Sequence, residues 1–137
     1  MSKSHKDDRS RILLTDTPEE ISRKIMAALT DSVNSVSYDP ISRPGVSNLL
    51  QLLAYFSEEA KTAEQLAQQH ASMGLAELKR LLADAISEGL ESIRGRFQRI
   101  MAEDDGKLLD AIEADGAKKA RMNADETMIL VREAVGF

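Results

Sequence analysis

At 137 residues the chain is long enough for one modest domain. Its 42% hydrophobic and 30% charged residues fit an ordered globular protein, and without cysteine it can hold neither a disulfide nor a thiolate metal site. A net charge of −5 counts against a general nucleic-acid binder, which needs a basic surface, and no apolar run approaches the ~20 residues of a membrane helix.

Residues 1–14 begin polar and mixed in charge and turn apolar at Ile12, Leu13 and Leu14. They read as a mobile loop followed by a short extended piece, not as a targeting signal. Thr17 then opens a helix. Pro18 stands at the first helical position, where its missing N–H costs nothing, and Glu20 completes a capping box with Thr17. Ile21, Ile25, Ala28 and Leu29 recur on one face of that helix. Residues 31–44 read as a loop, marked by Asp39-Pro40 and Arg43-Pro44-Gly45.

A second helix is expected from about Val46, with Leu49, Leu50, Leu53 and Phe56 on its apolar stripe. Thr62 and Gln65 suggest another capping box, opening a short helix with Ala63, Leu66 and Ala67 inward. Gly74 breaks the chain before the strongest helical signal, Leu75, Leu78, Leu82, Ile86, Ile93, Phe97 and Ile100. Gly89 and Gly95 are candidate bends within it, since each weakens a helix by about 1 kcal/mol relative to Ala.

Asp104-Asp105-Gly106 reads as a turn. A short helix with Leu108, Leu109 and Ile112 is expected after it. Gly116 separates that from a last helix, whose buried stripe would be Ala117, Ala120, Ala124, Met128 and Val131. The methionines read as core filler. The fold class that follows is all-α, a helical bundle around one core with almost no strand.

Chemistry-bearing residues are sparse. His5 and His70 lie far apart and suggest no metal site, so no metal ligands are assigned. Met1-Ser2-Lys3-Ser4 sets two hydroxyl donors around a mobile ammonium, a composition suited to phosphate. Two basic clusters follow: Arg94, Arg96 and Arg99 on the long helix, then Lys118, Lys119 and Arg121. Arginine can pair with phosphate or stack on a splayed base, although Glu91, Glu103 and Asp104 allow these clusters to be an ordinary solvated face.

Met1-Ser2-Lys3-Ser4 resembles the Lys-Met-Ser-Lys-Ser signature of class I aminoacyl-tRNA synthetases, without its first lysine. Ile12-Leu13-Leu14-Thr15-Asp16-Thr17-Pro18-Glu19-Glu20-Ile21 resembles the segment after that signature in tryptophanyl-tRNA synthetases. Lys24-Ile25-Met26-Ala27-Ala28-Leu29-Thr30-Asp31-Ser32 is similar to the family's next helix. Tyr38-Asp39-Pro40, Arg43-Pro44-Gly45-Val46-Ser47-Asn48-Leu49-Leu50 and the end (Asp115-Gly116-Ala117, Lys119-Ala120-Arg121, Ala124, Thr127, Gly136-Phe137) continue the likeness in order. Tyr-Asp-Pro followed by Arg-Pro-Gly looks most like the fungal mitochondrial branch.

The resemblance implies the C-terminal part of a tryptophan–tRNA ligase. Residues 1–16 would be the signature loop and connector, and residues 17–137 the helical anticodon-binding region. Lys3 would be catalytic, stabilising charge on the leaving pyrophosphate, with Met1, Ser2 and Ser4 completing the ATP contact. Arg94, Arg96, Arg99, Lys118, Lys119 and Arg121 would be the tRNA contacts. The implied partners are tryptophan tRNA, ATP with magnesium, and tryptophan, in a homodimeric enzyme of the mitochondrial matrix or, alternatively, of a bacterial cytoplasm.

The family's nucleotide-binding domain has no counterpart in these residues, so the chain alone is expected to be inactive and to hold no cofactor. Met1 at the motif's internal methionine points to a truncated product or a start placed within a longer reading frame. The alternatives are a free-standing, non-catalytic tRNA-binding module and a helical interaction domain.

Overall fold

The structure, a computed structural model, describes residues 8–57 and 60–136. Among them the regular structure is entirely helical, as the composition implied. The chain divides into two units, Met1–Arg94 and Gly95–Phe137.

In the first unit a short 3-10 turn at Asp8–Ser10 precedes helix α1, Pro18–Met26. Both halves of the expected capping box are present: the Thr17 hydroxyl accepts the Glu20 N–H, and the Glu20 carboxylate accepts the Thr17 N–H. Helix α2 spans Pro44–Phe56 and α3 spans Ala63–Gln69, the latter opened by the Thr62–Gln65 box. Helix α4 runs from Leu75 to Ala102. The core gathers Ile21 and Ile25 from α1, Val46, Leu49, Leu50 and Leu53 from α2, Leu66 from α3, and Leu78, Leu82, Ile86 and Leu90 from α4. Leu50, Leu78 and Leu82 are completely enclosed. Truncating such a leucine to alanine typically costs about 2–5 kcal/mol.

Helix α2 starts two residues earlier than expected, with Pro44 at the first helical position. Glycine at position 45 is required by crowding. A Cβ there would stand 2.4 Å from the Leu29 carbonyl oxygen, so only glycine lets the start of α2 approach the end of α1's connection.

Between α1 and α2 the chain has no regular structure, and one side chain organises it. Arg43 donates through Nε and one terminal nitrogen to both oxygens of Asp31, at 2.9 and 2.8 Å. The remaining N–H groups go to the Val33 carbonyl, the Ser35 carbonyl and the Ser37 hydroxyl, at 2.7–2.9 Å. All five guanidinium donors are thereby used. Asp39 folds the following corner by accepting the Ile41 and Ser42 N–H groups, and its own N–H donates to the buried Ser47 hydroxyl of α2.

The same connection serves the neighbouring helix ends. The Asn34 side-chain oxygen accepts the Leu75 N–H at the start of α4, and Lys79 donates to the Met26 and Ala28 carbonyls at the end of α1. A cation there also suits the negative end of the helix dipole.

Gly89 and Gly95 do not interrupt α4. At Gly89 the reason for glycine is packing, because a Cβ would meet the Phe56 ring at 2.6 Å.

The second unit departs further from expectation. Gly116 does not separate two helices: α5 is one helix, Lys107–Val135, preceded by a 3-10 turn at Glu103–Gly106. Ala114, Ala117 and Ala120 around Gly116 are strong helix formers and outweigh its cost of about 1 kcal/mol. Nor is the expected stripe buried, for no α5 residue is, and Met128 and Val131 are 42% and 45% exposed. The view of methionine as core filler fails for Met26, Met101 and Met122 as well, which are exposed; Met73 packs against the core.

Gly45→Ala is expected to destabilise the first unit by about 1–3 kcal/mol, because the contact it violates is with backbone. Chemical denaturation would show this as a lower midpoint, and an unchanged midpoint would contradict the close approach. Arg43 also holds the Asp31 carboxyl below its ordinary value of 3.8, chiefly by hydrogen bonding. That contribution is present above the ordinary value and is lost as pH falls through the lowered one. The stability advantage of the native chain over Asp31→Asn should therefore shrink between about pH 5 and about pH 2. Thermal melts across that range would test it.

Candidate functional site

Met1, Ser2, Lys3 and Ser4 lie outside the described residues. Residues 8–16, which precede α1, are described, and the part from Ile12 to Asp16 is firmly held. Ile12 packs against the core, while Leu13 and Leu14 turn outward. A tight turn follows in which the Asp16 N–H donates to the Leu13 carbonyl at 3.1 Å. The Asp16 carboxylate returns the bond by accepting the Leu13 N–H at 2.8 Å.

The same carboxylate oxygen accepts from the Lys24 ammonium. Both side chains are more than nine-tenths buried, so this pair is shielded from solvent screening. From α4, Arg94 donates one N–H to the Asp16 carbonyl and another to the Ser87 carbonyl, each at 3.2 Å. The turn from Leu13 to Asp16 is thus tied to α1 by an ion pair and to α4 by a guanidinium.

Arg94 is accordingly a correction to the grouping of the three arginines. It is only 8% exposed and spends its donors on carbonyl oxygens, so it is not presented to RNA as expected. Sequence reasoning had a usable signal for this. Leu78, Leu82, Ile86, Leu90 and Arg94 recur at four-residue intervals, which places Arg94 on the core stripe. Lys24 carries the analogous signal on α1, beside Ile21 and Ile25.

Arg96 and Arg99 are exposed and three residues apart, hence neighbours on the α4 surface. Lys118, Lys119 and Arg121 are exposed on α5, and Lys119 pairs with Asp115 at 2.6 Å. An ion pair this open to water is worth little and leaves the ammonium available for exchange of partners.

An apolar cleft of about 420 Å³ lies against the connector. Ile25, Leu49, Leu52, Phe56, Ile86 and Leu90 line it, with Arg9 and Arg11 also contributing. Asn48, from the Val-Ser-Asn stretch, is exposed at the same cleft. Sequence patterning did not reveal this cleft, because its walls come from three helices and the connector. No described helix is long and apolar enough to cross a membrane, and no three described His, Asp or Glu side chains are grouped to hold a metal ion.

Residues 1–91, which include the connector and the Asp16–Lys24 pair, match the family model of class I tRNA synthetases for W and Y. The chain belongs to that family. Within it, the chain is 41% identical over its whole length to the tryptophan–tRNA ligase of Rickettsia conorii and 35% identical to that of Enterococcus faecalis. It is similar in structure to the tryptophanyl-tRNA synthetase of Mycoplasma pneumoniae, with a TM-score of 0.60 and 25% identity, covering all of this chain and 40% of the other. The family likeness read from the ordered blocks therefore holds. The chain spans about 40% of the length of these relatives. All three come from bacteria, and none of them supports the fungal mitochondrial branch.

For this synthetase chain, losing one member of the buried pair should cost more than losing both charges. Lys24→Met is expected to destabilise by about 3–5 kcal/mol, since it leaves the Asp16 carboxylate buried and unpaired. Adding Asp16→Asn should recover part of that loss, because an amide oxygen still accepts the Leu13 N–H. A double-mutant cycle by urea unfolding would measure the coupling; additive losses would mean that the ion pair contributes nothing.

Proposed function

We propose that the chain is the signature segment and helical, anticodon-side part of a tryptophan–tRNA ligase, which joins tryptophan to its tRNA with ATP. The observation that carries this is the likeness of the whole chain to tryptophan–tRNA ligases. In this reading residues 1–16 are the signature loop and connector, and residues 17–137 the anticodon-binding region.

Lys3 is the catalytic residue of the segment. Its ammonium offsets negative charge gathering on pyrophosphate as tryptophan attacks the α-phosphate of ATP, while Ser2 and Ser4 donate to phosphate oxygens. Magnesium accompanies the ATP phosphates, and the described residues supply no ligand cluster of their own for it. Arg96, Arg99, Lys118, Lys119 and Arg121 are the exposed cations available to tryptophan tRNA. The bacterial origin of the relatives favours the cytoplasm over the mitochondrial matrix. A homodimer is the assembly this reading carries over from the family.

A second reading, a non-catalytic tRNA-binding module, draws support from the exposed cations on α4 and α5. The two readings separate by experiment. The purified chain should show no tryptophan-dependent exchange between pyrophosphate and ATP. Grafted in place of the matching part of the Rickettsia conorii ligase it should sustain exchange, and Lys3→Ala in that graft should lower the rate by a factor of about 100 or more. Exchange that survives Lys3→Ala would remove Lys3 from the mechanism.

Filter binding to tryptophan tRNA addresses the cations. Replacing Arg96 and Arg99 together by alanine should weaken binding and flatten the salt dependence by roughly one to two units of slope. A slope equal to that of the native chain would exclude both from phosphate contact.

A further inference from the structure

A guanidinium is an expensive group to enclose, since removing a charge from water costs several kcal/mol even after relaxation. Arg94 occupies a position where the run of Leu82, Ile86 and Leu90 would accept another apolar side chain. Its bond to Ser87 lies within its own helix. Its other bond reaches 78 residues back along the chain to the Asp16 carbonyl, immediately before the capping residue Thr17. The donor therefore meets the backbone at the point where the connector becomes α1. There Asp16 already holds the Leu13 N–H and the Lys24 ammonium through a single oxygen.

We propose that Arg94 is a positioning residue for the signature segment: together with the Asp16–Lys24 pair it fixes the Leu13–Asp16 turn that joins the connector to α1. This rests on the reading of Met1-Ser2-Lys3-Ser4 as the phosphate-handling loop. Lys3 acts only if its ammonium arrives within about 1 Å of the place where charge develops, and displacement on that scale can cost a hundredfold in rate. A root tied to two helices limits the error that the segment carries toward its tip. Arg94 touches no reacting atom and acts through the Asp16 carbonyl.

Two measurements test this. The first uses the chain itself. In Arg94→Met, hydrogen exchange at the Leu13 and Asp16 amides should accelerate roughly tenfold or more, while the Leu50 and Leu53 amides of α2 keep their native rates. Arg94→Lys, which retains the charge with a different donor geometry, should fall between the two. Should Arg94→Met not fold, Arg94→Lys must still accelerate the same two amides. Unchanged exchange at Leu13 and Asp16, or equal acceleration in α2, overturns the proposal.

The second measurement uses the graft into the Rickettsia conorii ligase, with adenylate formation from tryptophan and ATP normalised to titrated active sites. Arg94→Met should lower the rate per site about tenfold and leave the KM for tryptophan unchanged. Fewer active sites working at the native rate would mean a purely structural role and would refute positioning. A native graft that forms no adenylate would instead count against the reading of the loop, and the exchange measurement would still decide whether Arg94 holds the turn.

Discussion

The first unit depends on satisfying the backbone of a long irregular connection, and Arg43 accomplishes it. Between α1 and α2 the chain has only a few local backbone hydrogen bonds, yet it buries Val36 and brings Tyr38 against the core. Buried or half-buried carbonyls there need donors. The five N–H groups of Arg43 serve Asp31, Val33, Ser35 and Ser37 at once. Once this connection is set, Asn34 is in place to cap α4 and Ser47 to receive the Asp39 N–H. Lysine could offer a charge at this position, but not a planar fork with five donors.

Local rules made much of this unit legible. The two capping boxes, the proline at the start of α1 and the apolar stripes of α2 and α3 depend on neighbours within a turn or two, so spacing alone exposes them. On α1 the expected stripe holds only at Ile21 and Ile25, because the helix ends at Met26 and Leu29 is 91% exposed. The long-range polar ties were not legible in the same way. Asp16 and Lys24 are eight residues apart, and Arg94 meets Asp16 across most of the first unit. A cation on an apolar stripe was the available signal, and Arg94 was instead grouped with the exposed arginines that follow it. In α5 the apolar spacing correctly indicated a helix. Burial does not follow from periodicity, however, and the alanine-rich surroundings of Gly116 carried the helix through a residue that reads as a break.

For the candidate site, the ordered blocks were sufficient to find the family because they are spread along the entire chain. The fold shows what several of them do. Asp39 and Ser47 meet through a hydrogen bond, and Gly45 permits the close approach of the start of α2 to Leu29 and Thr30.

Phe56 and Gly89 carry a consequence for variation at both positions. The ring occupies the space that a side chain at 89 would need, so the two residues share one volume. A smaller residue at 56 would open room for alanine at 89, where alanine favours a helix by about 1 kcal/mol over glycine. The two positions are therefore expected to drift as a pair among related sequences, a bulky aromatic with glycine or a smaller side chain with alanine. The glycine that looks like a weakness in α4 is the imprint of an aromatic ring on another helix.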